Sequence, residues 1–407
     1  MITRETYLQW LREFRDKPLV KVVTGLRRAG KSTLLLMYMD ELRACGVEAE
    51  QVLVVNFEEL ENEPLLDRHR LYERIVSAKP DGKTLYVVLD EIQHVREYEK
   101  VVDSLLVKPG YDIYITGSTA DLLSSELATR LTGRYVEINV LPLSFRESVS
   151  GIDVTDANCE RLFMEYVTYG GLPGARMFPN GSRAQREYVE SVYRTILEKD
   201  VLKRSRRGRF LVDRIIRYML SVVGSLTSPN RMVSRLDEEA RTGRERSAAY
   251  HTLVSYLERL TDCYFLYRAD RFDVIGGGLL KQANKYYVTD FGFSHYLLNA
   301  PAVELQQVLE NVVYFELRRR RYKVCTGKVA EREVDFVVQG DDDRPRYVQV
   351  AVSVKDPDKL RQELAAFQHV RDNYPKCLLT MDRIFTPDHN GIRTVNVYDF
   401  LLGKDDI

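Results

Sequence analysis

Gly25-Leu26-Arg27-Arg28-Ala29-Gly30-Lys31-Ser32, followed by Thr33, satisfies the pattern G-x-x-x-x-G-K-[ST] in full. Each residue type there has a physical use. Gly25 and Gly30 allow backbone geometries and close approach that a Cβ would block. A turn of this kind aims successive backbone N–H groups inward, and a helix starting at its end adds the positive end of its dipole. Lys31 supplies a point charge for the β- and γ-phosphates of a nucleoside triphosphate, and Ser32 offers a hydroxyl to Mg2+. Arg27 and Arg28 stand either against phosphate charge or in solvent. A chance match in a chain this long is expected on the order of once in a hundred.

Farther on, Leu85-Tyr86-Val87-Val88-Leu89-Asp90-Glu91 reads as an apolar strand ending in two carboxylates. Asp90 would orient Mg2+ through its water shell, and Glu91 would accept a proton from an attacking water or orient that water. An isolated Asp-Glu after a strand is most simply an exposed turn, but beside a phosphate loop the hydrolytic reading prevails. Tyr111–Ser118, YDIYITGS, gives a third strand tip. There Thr116 or Ser118 could contact the γ-phosphate or the water, although TGS is also ordinary loop chemistry. Arg130 and Arg134 are candidates for a charge-stabilising arginine, in the same chain or offered to a neighbour. The plainer reading is two solvated arginines near a helix end.

The elements that must position these groups are legible around them. LVKVVT at 19–24 predicts a strand, and 32–44 a helix with Leu34, Leu35, Tyr38 and Leu42 at helical spacing. Apolar runs at 52–57, 85–89, 111–116 and 135–141 predict further strands with helices between them. Such alternation argues for a parallel sheet covered on both faces, an α/β fold that places its ligand at the C-terminal strand edge. From 156 the pattern turns helical, over 157–169, 183–203 and 210–224. Helices at 231–241 and 247–261, then strands at 264–268 and 285–289, follow the order of a winged helix. The tail predicts a helix through Arg321, strands at 322–325, 333–338 and 346–352, a helix at 358–373, and strands at 377–380 and 394–397.

Composition narrows the class. Sixty Lys+Arg balance sixty Asp+Glu, so any nucleic-acid binding must come from a local patch rather than bulk charge. Cys45, Cys159, Cys263, Cys325 and Cys377 are scattered, odd in number and without metal spacing, as expected of reduced thiols in a cytoplasmic protein. The start, MITRETYLQWLREFRD, is charged and amphipathic rather than signal-like, and no window is apolar enough for a membrane span.

GLRRAGKST, LYVVLDEIQ, IYITGSTADLL and LTGRYVEINVLPLSFRE together resemble the AAA-type P-loop ATPases found next to a DUF4143 domain. The resemblance continues through YGGLP at 169–173, EKDV at 198–201, KYYVTDFGF at 285–293, LENVVYFEL at 309–317 and EVDFV at 333–337. It implies an ATPase core at 1–155, a helical lid at 156–225, a winged-helix middle domain at 226–300 and a restriction-endonuclease-like, PD-(D/E)XK domain at 301–407. ATP and Mg2+ are the implied cofactors. The absence of N-K-x-D fits adenine rather than guanine.

For metal-dependent nuclease chemistry the matching positions are Glu310 or Glu316, Asp335, and Gln349-Val350-Ala351. The last departs from the pattern. Gln349 is neutral and Ala351 replaces the lysine, while Lys355 lies about 13 Å farther along a strand. A degenerate domain used for binding is the expectation. KRSRRGRFLVDRIIR at 203–217 holds Lys203, Arg204, Arg206, Arg207, Arg209, Arg214 and Arg217 against Asp213 alone. Arg241, Arg244 and Arg246, and the run Arg318–Arg321, add further positive charge. These runs are either solvated faces or a DNA-backbone surface without strong base reading. The expected function is an ATP-hydrolysing ATPase whose nucleotide state controls a module that binds DNA or a protein partner, with a homo-oligomer as a further possibility. The rival is a nucleotide-gated interaction switch with little turnover.

Overall fold

The structure, a computed structural model, describes residues 2–117, 122, 131, 133–202, 208–241, 250–298 and 303–407. It divides into two compact units. One is Met1–Pro142 with Asp262–Tyr264, and the other is Leu143–Thr261 with Phe265–Ile407.

The first unit is built on a five-stranded sheet. Its strands are β1 (Val20–Thr24), β2 (Val52–Asn56), β3 (Leu85–Asp90), β4 (Tyr111–Thr116) and β5 (Tyr135–Asn139), in the order β2-β3-β4-β1-β5. Every pairing is parallel. The apolar runs are the cause: the central strands β1, β3 and β4, covered on both faces, bury nearly every side chain. Val20, Val22, Val87, Leu89, Ile113 and Ile115 form the centre of the core. Lys21 is fully buried within β1. Its ammonium pairs with Asp112 on β4 and donates to the Lys17 carbonyl at 3.1 Å. Asp112 also accepts from the Tyr114 hydroxyl at 2.8 Å and the Asp16 amide at 3.0 Å. A buried charge survives only when satisfied in this way.

The second unit contains a seven-stranded mixed sheet. Its strands are β6 (Leu266–Asp273), β7 (Gly278–Val288), β8 (Lys323–Val329), β9 (Arg332–Gln339), β10 (Pro345–Ala351), β11 (Lys376–Thr380) and β12 (Ile392–Asn396), in the order β12-β11-β10-β9-β8-β6-β7. The helix Leu305–Arg319 lies against it, with Tyr314 stacked on Tyr287 at 4.1 Å. Helices Asp156–Tyr169, Arg183–Thr195 and Arg209–Ser221 follow the predicted helical stretch, and Ile196–Val201 continues the second as a π-helical turn.

Two expectations change here. Helices Pro229–Arg241 and Tyr250–Asp262 do precede a two-stranded ribbon. However, β6 pairs in parallel with β8, so the ribbon is the edge of the large sheet rather than a free wing. The strands run longer than predicted, and the added residues Arg271–Asp273 make the junction with β8. The helix expected over 358–373 ends at Leu364, and residues 365–369 continue as turns.

The YGGLP and VTDFGF motifs resolve into one contact. The buried Asp290 carboxylate accepts from the amides of Gly171 at 2.7 Å and Gly292 at 2.8 Å, and also from Leu172. A Cβ on Gly170, at φ +81°, would come within 1.8 Å of Asp290 Oδ1. Burial pushes the Asp290 carboxyl from 3.8 up to about 6, against the pull of those three amides. A raised folded-state value means that stability is fullest below pH 3.8 and is lost as pH rises through 6. Two units correspond to about 3 kcal/mol. The penalty of Asp290→Asn should therefore be greatest near pH 4 and smaller by up to about 3 kcal/mol at pH 7. Urea midpoints of both proteins across that range test this, and a pH-independent penalty would refute it.

Candidate functional site

The predicted phosphate loop connects β1 to the helix Lys31–Ala44, at the C-terminal edge of the parallel sheet. Its conformation demands glycine at Gly25. There φ is +132°, and a Cβ would lie 2.2 Å from the Val140 carbonyl oxygen. Arg28 and Gly30 also take positive φ values, 69° and 99°. Leu26 and Ala29 are buried, which anchors the loop from below. Lys31 is itself buried, and its ammonium donates to the carbonyls of Gly25 at 2.9 Å and Leu26 at 3.2 Å. Thr33 lies in the first turn of the helix. Arg27 pairs with Glu58 at 3.8 Å, so its charge is partly engaged beside the loop.

The two acids of β3 reach the same edge. Ser32 Oγ donates to Asp90 Oδ1 at 3.0 Å, which joins the start of the helix to the strand tip. Thr116, at the end of β4, donates its hydroxyl to the same oxygen and accepts from the Glu91 amide at 2.9 Å. Glu91 takes a left-handed φ of 56°, and its carboxylate accepts from the Gln93 side-chain amide. Burial raises the Asp90 carboxyl above the ordinary aspartate range, against hydrogen bonds from Thr116 and Ser32. Ser32 and Asp90 are the groups suited to a hard cation, being oxygen donors held together on separate elements. The glycine-lined turn and Lys31 suit the phosphates. The residues present therefore fit Mg2+ with a nucleoside triphosphate.

Four side chains that sequence reading passed over complete the edge. Arg4 is buried and donates to the carbonyls of Ala29 at 3.1 Å and Leu141 at 2.8 Å. It thereby fixes the orientation of a loop peptide. Thr24, just before Gly25, donates to Glu137 at 2.6 Å, and Tyr264 donates to the same oxygen at 3.1 Å. The only signal for Arg4 was a charge at the head of an amphipathic helix. Glu137 and Tyr264 are 127 residues apart, and nothing local announces their meeting.

Arg134 does not join this site. It precedes β5, whose start pairs with Val20, while the loop follows Thr24 at the other end of β1. Five residues of strand span about 16 Å. Arg134 instead pairs with Asp103 at 2.8 Å, so a role toward the loop of its own chain is corrected. Ser118 and Arg130 lie outside the described residues.

The basic runs divide likewise. Lys203, Arg204, Arg206, Arg207, Arg244 and Arg246 lie outside the described residues. Arg209 pairs with Glu198 at 3.1 Å and lines a cavity of about 830 Å3 with Arg186, Arg194, Arg217 and the exposed Phe210. Arg214 donates to the Leu236 carbonyl and Arg217 pairs with Asp213. In the Arg318–Arg321 run, Arg319 is buried and Arg320 half-buried, while Arg318 and Arg321 are exposed. Arg319 and Arg320 both pair with Glu316, and Arg318 lies over the Tyr267 ring. This also removes Glu316 from the nuclease-like set, whereas Glu310 stands near Asp335. Gln349 accepts from the Asp335 amide at 3.2 Å and donates to Glu363 at 3.0 Å. Lys355 is exposed and reaches Asp382 at 3.7 Å, not Asp335.

Residues 17–149 match the family model described as AAA domain, and residues 160–304 match a domain of unknown function, DUF8612. The latter stands where the sequence resemblance implied DUF4143. An uncharacterized protein of Haemophilus influenzae is 34% identical over 99% of both chains. Uncharacterized protein MJ1544 of Methanocaldococcus jannaschii is 26% identical over 93% of this chain and 85% of its own. The Walker-type ATPase of Pyrococcus abyssi has a similar fold. Its TM-score is 0.50 at 17% identity, over 73% of this chain and 96% of that one. The fold and site define an AAA-type core of the α/β class with a P-loop, accompanied by an additional unit. The chain belongs to the same family as the Haemophilus influenzae protein. Among the described residues no helix is long and apolar enough to cross a membrane.

Thr116 is the testable hinge of this arrangement. Thr116→Val leaves the buried Glu91 amide without its acceptor and frees one hydrogen bond from Asp90. A stability loss of about 1–3 kcal/mol is expected, read by chemical denaturation. A loss below about 0.5 kcal/mol would show that the Thr116 hydroxyl holds neither group.

Proposed function

We propose that the chain hydrolyses ATP, and that nucleotide state controls what the second unit binds. The Ser32–Asp90 contact at 3.0 Å carries this reading. It joins two oxygen donors, from the loop helix and from the neighbouring strand tip, on the edge where Lys31 lies. Gly25–Thr33 enclose the phosphates through backbone amides, and Lys31 swings from the Gly25 and Leu26 carbonyls onto the β- and γ-phosphates. When bound, Mg2+ neutralises charge on those phosphates. Ser32 would offer it a hydroxyl, and Asp90 would orient it through its water shell. Glu91 accepts the proton of the attacking water or orients it, with Gln93 fixing its carboxylate and Thr116 fixing its backbone. Because burial raises Asp90, proton and metal compete there at higher pH than at an exposed aspartate.

Arg134 acts, in this reading, on a neighbouring subunit. It stands at the base of β5, at the opposite end of β1 from its own loop, and an arginine offered in trans stabilises transferring phosphate charge only in an assembly. DNA is the partner we favour for the second unit, held through the backbone by Arg209 and the run Lys203, Arg204, Arg206 and Arg207. Arg209 lines the Arg-rich cavity, and the run immediately precedes Gly208 of the same cavity. The helix pair before β6 supports that reading only as far as its order of elements.

Lys31→Ala should abolish ATP binding or turnover, and Glu91→Gln should retain binding while slowing hydrolysis by about a hundredfold or more. Normal turnover in Lys31→Ala refutes the nucleotide assignment. An unchanged rate in Glu91→Gln removes Glu91 from the chemistry. ATPase rates with and without DNA across a salt series test the partner, and steeply salt-dependent stimulation is expected. A stably bound nucleotide with negligible turnover and no response to DNA would favour a protein-binding switch instead.

A further inference from the structure

Glu310 and Asp335, singled out in sequence for metal chemistry, meet in the second unit with an unforeseen companion. Lys285 of β7 is only 3% exposed. Its Nζ lies 2.7 Å from Glu310 Oε1, 2.5 Å from Glu333 Oε1 and 3.9 Å from Asp335 Oδ1. Tyr287, two residues along the same strand, donates its hydroxyl to the same Glu310 oxygen at 2.6 Å. The second Asp335 oxygen accepts from the Val350 amide at 2.9 Å. Three elements therefore converge on one ammonium: β7 itself, the helix Leu305–Arg319, and β9 through alternate residues 333 and 335.

We propose that Lys285 is the resident cation of this carboxylate cluster, and that it closes the cluster to divalent metal. An ammonium offers three donors, and three carboxylates surround it. A divalent cation would need the Glu310 and Asp335 oxygens at about 2.0–2.6 Å. The Lys285 nitrogen already fills the space between them, and its positive charge repels a second cation. The residue that would supply a further ligand from β10 is Gln349. Its side chain is spent on the Asp335 amide and on Glu363. The metal implied by the nuclease-like resemblance thus does not fit the residues present.

The electrostatics agree with this geometry. Burial alone would lower the Lys285 ammonium, but Glu310, Asp335 and Glu333 together raise it above the ordinary lysine range. It stays charged throughout neutral pH. Burial, then the charge of Glu310, raises the Asp335 carboxyl well above its usual range. Removing the lysine would strand buried carboxylates without compensation, a state that recruits another cation or costs stability. This inference is independent of the nucleotide site.

The test titrates the full-length protein with Mn2+ alone, without nucleotide, reading free Mn2+ by electron paramagnetic resonance. Wild type and Asp335→Asn should bind Mn2+ identically. Lys285→Met should gain a site about tenfold or more tighter than any in wild type, and Lys285→Met/Asp335→Asn should lose that gain. Lys285→Arg, which keeps the charge, should behave as wild type. Wild-type Mn2+ binding that Asp335→Asn removes overturns the proposal, as does a folded Lys285→Met with no gain. Should Lys285→Met fail to fold, the wild-type and Asp335→Asn titrations decide the matter on their own.

Discussion

Asp90 is the point through which the nucleotide edge is held together. It ends a fully buried strand and is itself buried, so its carboxylate needs protein donors to offset the lost water. Ser32 reaches it from the helix that follows the phosphate loop, and Thr116 from the next strand. The helix start, the acid pair and the third strand tip are thereby tied to one oxygen. Because Thr116 also takes the Glu91 amide, Glu91 is fixed in its left-handed conformation by the same hydroxyl that braces Asp90. Such pre-organisation places charge-handling groups before any substrate arrives, which is where electrostatic catalysis derives most of its effect.

Buried charge recurs elsewhere, and its partners differ with the job. Lys21 and Asp112 sit among strands, and the Tyr114 hydroxyl and backbone groups absorb what the pair leaves unsatisfied. Asp290 is a second buried group of this kind. It is satisfied by amides of two glycine-rich turns, which explains why those turns lack side chains. The Lys285 cluster inverts the pattern, with more carboxylates than ammonium groups. Pairs and amide clamps specify a fold. An excess of buried acids is a site held in check by its own cation.

Sequence reading recovered what is written in contiguous residues. The loop Gly25–Ser32 and the Asp90-Glu91 tip carry their chemistry at fixed spacing, and the apolar runs gave the parallel strands because burial on both faces leaves little choice of residue. What it could not recover was pairing across distance. Lys21 interrupts an apolar run, and its partner Asp112 is 91 residues away. Arg134 looked close to the site because it is near strand tips in the chain. Yet each strand carries its residues the full depth of the sheet, and the base of β5 is the wrong end. The ribbon was read as a wing because local order cannot tell a free hairpin from one whose outer edge joins β8.

The same reasoning bears on the basic runs, where composition alone is a poor guide to a surface. Arg318–Arg321 carries as dense a charge as the stretch near Arg209. Even so, Glu316 engages both Arg319 and Arg320, and Asp406 takes Arg320 as well. An arginine bound to a buried carboxylate cannot turn to a phosphate without leaving that acid uncompensated, a cost of several kcal/mol. Arg209 and Arg194 meet their acids at the surface instead, where water screens the pair and exchange for another anion costs little. The distinction between a structural arginine and one available to a polyanion therefore lies in the burial of its carboxylate. By that criterion Arg209 and Arg194 are freer to exchange their acids for another anion than Arg319 and Arg320 are.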